Sequence, residues 1–161
     1  MEVHVDLSKV VPTDELRGED DEETILLQGM LTDAKDYLRS FAWCDGLKSS
    51  YFGLGVGGVV AVFLFRIEHS KDDVDDWVWV VVGDIPSAYM TCEDAPNPAC
   101  ALDGYIGAMR EWAEAAIQGN PVDDLIPVNV PATPEWGKNL ASRLDFLDRE
   151  ILSQYEEDLK K

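Results

Sequence analysis

The run 49-SSYFGLGVGGVVAVFLFRIEH-69 decides the architecture. Gly57-Gly58 separates two segments rich in β-branched and aromatic residues, 49–56 and 59–69. A glycine pair in that place suits the positive φ angles of a tight hairpin. In the second segment Phe63, Phe65 and Ile67 share one face and Leu64, Arg66 and Glu68 the other, so its later half should be covered on one side only. Past the acidic turn 70-SKDDVDD-76, the segment 77-WVWVVVGD-84 is apolar on both faces and predicts a strand covered on both sides. The segment 87-SAYMTC-92, entered through Pro86, is expected as a fourth strand, because proline suits an edge or a strand start. Residues 3–11 alternate loosely enough for a further short strand, which Pro12 would end.

Helical periodicity surrounds this β region. From Glu19 onward Ile25, Leu26, Met30, Ala34, Tyr37, Leu38 and Phe41 recur at steps of three and four, giving one apolar stripe. Asn97 and Pro98 read as an N-cap and first helical position, and Gly119 as a stop. Between them Leu102, Tyr105, Ile106, Met109, Trp112, Ala113, Ala116 and Ile117 trace a second stripe. A third helix starts at the cap Thr133-Pro134 and carries Trp136, Leu140, Leu144, Leu147, Ile151 and Tyr155. The expected fold is therefore α+β, an antiparallel sheet of about four strands packed with three helices. It is expected as a single domain over 1–161, with 1–18 as an N-terminal arm and 156–161 as a frayed tail. Leu102, Met109, Trp112, Val80, Phe63 and Leu144 are the expected core. Trp77, Trp79, Trp112 and Trp136 fall on apolar faces, and Trp43 is the tryptophan expected at the surface.

Charge narrows the function classes. The 161 residues carry 32 acidic and 13 basic side chains, a formal net charge of −19. Residues 1–80 hold 17 acids and 7 bases, residues 81–161 hold 15 and 6, so the halves carry −10 and −9. No one tail accounts for the excess. Binding to nucleic acid needs Lys and Arg to neutralise phosphates, so that class is disfavoured. A basic protein partner would instead be steered toward such a surface. No stretch has the length of apolar sequence that a membrane span needs, and the N-terminus lacks the pattern of a secretory signal, so a cytoplasmic protein is expected. Cys44, Cys92 and Cys100 show no CxxC spacing and are expected as reduced thiols.

Catalytic signatures are weak. Nucleophilic hydrolysis needs a base, and the two histidines are His4, near the terminus, and His69, at a strand end where it would have to meet Cys92 or Cys100. The glycines of 53-GLGVGG-58 lead into a β-rich run rather than a helix, so they do not form a phosphate cradle. The turn 72-DDVDD-76 lacks the alternating ligands, central glycine and distant glutamate of a calcium loop. Asp84 and the pair Glu93-Asp94 would make a carboxylate site only if they converge at one sheet end. No cofactor and no metal are expected.

The segments 77-WVWVVVGDIPSAYM-90, 96-PNPACALDGYIGAMREWAEAA-116 and 133-TPEWGKNLASRLDFLDREIL-152 read like a small bacterial protein. In size, acidity and lack of a catalytic signature the chain resembles, at class level, the cytoplasmic immunity proteins that neutralise toxin domains and the acidic inhibitors of mobile elements. That resemblance implies inhibition by binding and assigns no residue. The run 14-DELRGEDDEE-23 holds seven carboxylates in ten residues. With the 72–76 turn it supplies the expected contact residues Glu19, Asp20, Asp21, Glu22, Glu23, Asp72, Asp73, Asp75 and Asp76. The expected partner is a basic protein such as a toxin or nuclease domain, with self-assembly left open. A small carboxylate-dependent enzyme or ligand-binding domain using Asp84, Glu93, Asp94 and His69 is the alternative, and a structural homo-oligomer subunit a third reading. A helix beginning near residue 19 would also select carboxylates for its first turn, because they offset the unpaired N–H groups there.

Overall fold

The computed structural model describes residues 5–69, 76–92, 95–128 and 130–159. The glycine pair makes its hairpin. Strand β2 (Gly46–Val56) returns as β3 (Val60–Glu68) through a loop in which Val59 N–H donates to the Val56 carbonyl at 2.9 Å. Of the two glycines only Gly58 takes a positive φ, +79°, so one left-handed position suffices for the turn. β1 (Val11–Pro12), β4 (Trp77–Gly83) and β5 (Ala88–Thr91) complete a five-stranded antiparallel sheet in the order β1-β2-β3-β4-β5. The additional strand relative to expectation is β1, and it contains Pro12 rather than ending before it. As an edge strand, β1 can include a residue without an N–H to donate. Val11 and Pro12 pair with Phe52 and Tyr51.

Two compact units are distinguished, Met1–Ala101 and Leu102–Lys161. In the first, helix α1 (Asp21–Arg39) covers one sheet face. Its Leu27, Met30, Ala34 and Leu38 pack in one cluster with Phe63, Phe65 and Ile67 of β3 and Val78, Val80 and Val82 of β4. Leu16, fully buried in the same cluster, ties the N-terminal segment to this core. The stripe expected on α1 is rotated at its start, for Leu27 faces the sheet while Ile25 and Leu26 are 67% and 47% exposed. Stepping back from Leu38 by four gives Ala34 and Met30, and a step of four or three then reaches Leu26 or Leu27. Periodicity cannot choose between them. Contact with the hairpin decides: Leu26 lies over Gly57, where an added Cβ would be 3.0 Å from the Leu26 Cβ.

One-sided cover is confined to the end of β3, where Arg66 and Glu68 are exposed and Ile67 is buried, while Leu64, expected on the uncovered face, is fully buried. β4 is buried on both faces from Val78 to Val82. On the face away from α1, the Trp79 indole N–H donates to the Ala95 carbonyl at 2.8 Å, so this large side chain is buried without an orphaned donor. Trp43, expected at the surface, is half-buried, with its ring 5.2 Å from Phe41 and 5.1 Å from Tyr89. Burial raises the nearby Tyr37 hydroxyl to about 12, with Tyr89 adding to the shift.

Helix α2 (Pro98–Gln118) begins where Asn97 caps it, the Asn97 Oδ1 accepting from Cys100 N–H at 2.9 Å. It stops at Gly119, whose φ is +74°. In the second unit, Leu102, Tyr105, Ile106, Met109, Trp112, Ala113 and Ala116 are buried. Helix α3 (Pro134–Phe146) starts at the Thr133 cap and continues through a wider turn, Leu147–Ile151, keeping Leu140, Leu144, Leu147 and Ile151 buried. Trp136, expected in this stripe, is instead 45% exposed. Gly137 holds the facing position, because a Cβ there would be 2.6 Å from the Ala113 carbonyl oxygen of α2. The close approach of the two helices needs a residue without a side chain and turns Trp136 outward. Arg110 of α2 then spans Asp145 at 3.2 Å and Asp148 at 3.1 Å.

Trp112→Ala should destabilise the protein by about 3–5 kcal/mol through lost burial and the resulting cavity. Trp136→Ala should stay within about 0.5 kcal/mol, as surface substitutions do. Gly137→Ala should be strongly unfavourable, since the added methyl meets backbone. Paired denaturant titrations that ranked Trp136 with Trp112 would contradict the assigned helix face.

Candidate functional site

The acidic run divides into two groups once its geometry is followed. Asp20 is the N-cap of α1, its Oδ1 accepting from Glu23 N–H at 2.8 Å. Glu23 reaches back, its Oε1 accepting from Glu19 N–H at 2.8 Å and its Oε2 from Gly57 N–H at 3.3 Å. The carboxylate thus ties the helix start to the tip of the β2–β3 hairpin. Thr24 adds a link, its hydroxyl accepting from Gly18 N–H and donating to the Asp20 carbonyl. Asp20 and Glu23 are therefore bound up in holding the fold together, as a reciprocal cap of backbone donors that would otherwise be unsatisfied. Glu19, Asp21 and Glu22 are exposed. Asp21 and Glu22 lie in the first helical turn, where the helix dipole favours them.

The strand ladder sets where the other carboxylates fall. Val60 lies opposite Gly83, and Asp84 N–H donates to the Val59 carbonyl at 3.0 Å. Asp84 is thus at the same sheet end as the hairpin tip and the α1 cap. Asp76 is at the other end, where Arg66 lies opposite Trp77. β3 has nine residues, and at ~3.3 Å per residue that separates the two ends by about 30 Å. The helix start and Asp76 therefore belong to different surfaces of the unit. Asp72, Asp73 and Asp75 lie outside the described residues, as do His4, Glu93 and Asp94. Thr91 pairs with Val78, so the chain leaves β5 at the end where β4 begins. Asp84, following the other end of β4, stands apart from that exit.

His69 follows β3 at the Asp76 end. Its Nε2 is 2.8 Å from Asp76 Oδ1, while Nδ1 is buried with no hydrogen-bond partner among the described residues. Only Nε2 has a partner among them, and neither ring nitrogen is hydrogen-bonded to the thiol of Cys92 or Cys100. The hydrogen bond from His69 is the main influence holding the Asp76 carboxyl below its ordinary range, with the charges of Lys48 and Arg66 adding to it. The Cys44 thiol is raised above its ordinary value, chiefly by burial, which leaves it a poor nucleophile. Among the described residues no group of three or more His, Cys, Asp or Glu side chains is placed to hold a metal ion. No helix among them is long and apolar enough to cross a membrane.

Beside the exposed carboxylates are features that sequence reasoning missed. Ile25 and Leu26 stand one turn beyond Asp21 and Glu22, at spacings of three and four that make them surface neighbours. Val56, at the hairpin, is 39% exposed. Gly29 follows on the next turn of α1 with nothing within 4 Å of an added Cβ, although glycine inside a helix costs about 0.5–1 kcal/mol relative to alanine. The signal in the sequence was the glycine itself, which interrupts a helical stripe without a turn to make.

Known protein families, curated proteins and solved structures were all compared with the chain, and it matches none of them.

Asp20→Ala should cost about 0.5–2 kcal/mol through the lost cap. Asp21→Asn with Glu22→Gln should cost no more than about 1 kcal/mol per site, the usual size of a dipole contribution. Thermal melts of the two variants separate these roles. At Asp76 the folded carboxyl titrates below the ordinary value of 3.8. The stability it contributes is therefore present above that pH and is lost as pH falls through the folded value. Asp76→Asn should melt slightly below the parent at neutral pH and together with it in strong acid, the difference kept small because Asp76 is half-exposed.

Proposed function

We infer that the chain is a non-enzymatic acidic binding protein, an immunity protein or inhibitor that occludes the basic cleft of a toxin or nucleic-acid enzyme. The observation that carries this reading is the sheet end at the α1 start, where Glu19, Asp21, Glu22 and Asp84 are all exposed. Asp21 and Glu22 are not consumed by the capping hydrogen bonds that account for Asp20 and Glu23. On a chain of net charge −19 such a surface attracts a positive partner over the Debye length and accelerates encounter. Occlusion requires no nucleophile, cofactor or metal. Asp76 lies at the other end of β3, about 30 Å away, so it does not share one flat contact with the helix start.

The test compares the parent with two variants, Glu19→Gln/Asp21→Asn/Glu22→Gln at the helix start and Asp76→Asn at the other end. Both leave the Asp20 and Glu23 caps in place. A basic protein captured from lysate is identified, and its association with each form is timed at low and moderate salt. The helix-start variant should associate more slowly and show a flatter salt dependence, because rim charges act mainly on encounter. The captured enzyme should lose activity on adding the parent protein. Equal association rates for the parent and both variants would reduce the acid excess to a solubility feature.

A further inference from the structure

The apolar side chains at the helix start answer a question that charge leaves open, namely what fills the centre of the contact. Ile25 is 67% exposed and Leu26 47%, the former the most exposed large apolar side chain among the described residues. Leu27 supplies the contact with the sheet, Leu26 rests one side on Gly57 at the hairpin tip, and Ile25 lies outside the core cluster. Gly29 extends the same helix surface with bare backbone, and the space around it is open. Val56 is exposed at the hairpin against which Leu26 packs. At the N-terminal end of this apolar strip stand Asp21 and Glu22, with Glu19 just before the helix. An apolar centre with a charged rim is the anatomy of a protein contact, where the centre supplies affinity and the rim supplies steering.

We propose that this face of α1 docks a basic amphipathic segment of a partner protein, one presenting a row of apolar side chains flanked by Lys or Arg. The partner's apolar row meets Ile25 and Leu26 and approaches the backbone closely at Gly29, while its cations meet Glu19, Asp21 and Glu22. Gly29 gains a reason in this arrangement, since any side chain there would hold the partner's backbone away. A second copy of this chain fits the strip less well, because it would set like carboxylates against each other on molecules of net charge −19. The inference rests on the reading of the chain as an acidic binding protein and specifies what that protein takes.

Two labelled synthetic peptides of equal positive charge test it, a Leu/Lys amphipathic helix and a Ser/Lys counterpart without the apolar row. Their binding to the full chain is followed by fluorescence anisotropy at low and moderate salt. The parent should prefer the Leu/Lys peptide by about tenfold or more. Ile25→Ser/Leu26→Ser should erase that preference while retaining the salt dependence, and Gly29→Gln should reduce it. Melting curves of these surface variants confirm that they remain folded. Asp21→Asn/Glu22→Gln should weaken both peptides together. If Ile25→Ser/Leu26→Ser keeps the preference, the proposal is wrong, and a weakened Asp21→Asn/Glu22→Gln variant would still support the acidic-binder reading. If the charge variant also binds both peptides like the parent, that reading falls as well. A concentration-dependent dimer of the parent that Ile25→Ser/Leu26→Ser abolishes would assign the strip to a second copy and overturn the proposal.

Discussion

The contact between β3 and α1 is the constraint on which the first unit depends. Phe63, Phe65 and Ile67 are fully buried on one face of β3, and Leu27, Met30, Ala34 and Leu38 close over them. The other face of the same strand carries Val60, Val62 and Leu64, also fully buried. A strand buried on both faces cannot slip by one residue without exchanging its two side-chain sets, so its register is firmly held. β2 and β4 align on it from either side, and β1 and β5 are placed by them in turn.

The carboxylate of Glu23 joins that core to the surface. It holds the Glu19 and Gly57 N–H groups together, setting the α1 start against the hairpin tip. Leu26 follows onto Gly57, and that contact rotates the first turns of α1 until Leu27 faces the sheet. The exposure of Ile25 and Leu26 follows from the same rotation. One local polar arrangement thus determines both which leucine enters the core and which apolar side chains remain outside it.

The separation of the two acidic patches bears on how a partner would be held. Antiparallel pairing carries Asp76 to one end of β3 and Asp84 to the other, beside the helix start. The Asp76 carboxyl is held below its ordinary range by the hydrogen bond from His69, with the charges of Lys48 and Arg66 adding to it. At the helix start the carboxylates of Asp21 and Glu22 instead stand one turn before the exposed apolar side chains Ile25 and Leu26. Asp76 and the helix start therefore differ in surroundings as well as position.

Much of the fold was legible in the sequence. Alternation at residues 59–69, the glycine pair before it and the doubly apolar 77–84 run are local signals, and they give the hairpin and the buried faces of the central strand. The caps at Asn97 and Thr133 and the stop at Gly119 were equally local, because each is a short-range match of side chain to backbone. Periodicity alone placed Leu26 and Trp136 in the stripes where the structure has Leu27 and Gly137, since neighbouring positions fit a helical stripe almost equally well. Contacts distant in sequence made those choices, Gly57 under Leu26 and the Ala113 carbonyl against Gly137. For the candidate site, the sequence by itself determined the abundance of carboxylates and their place at a helix start. Only the tertiary structure decided which are spent on capping, which share an end of the sheet and which apolar residues stand among them. Those properties depend on strand register and helix rotation, and no short stretch of sequence encodes either.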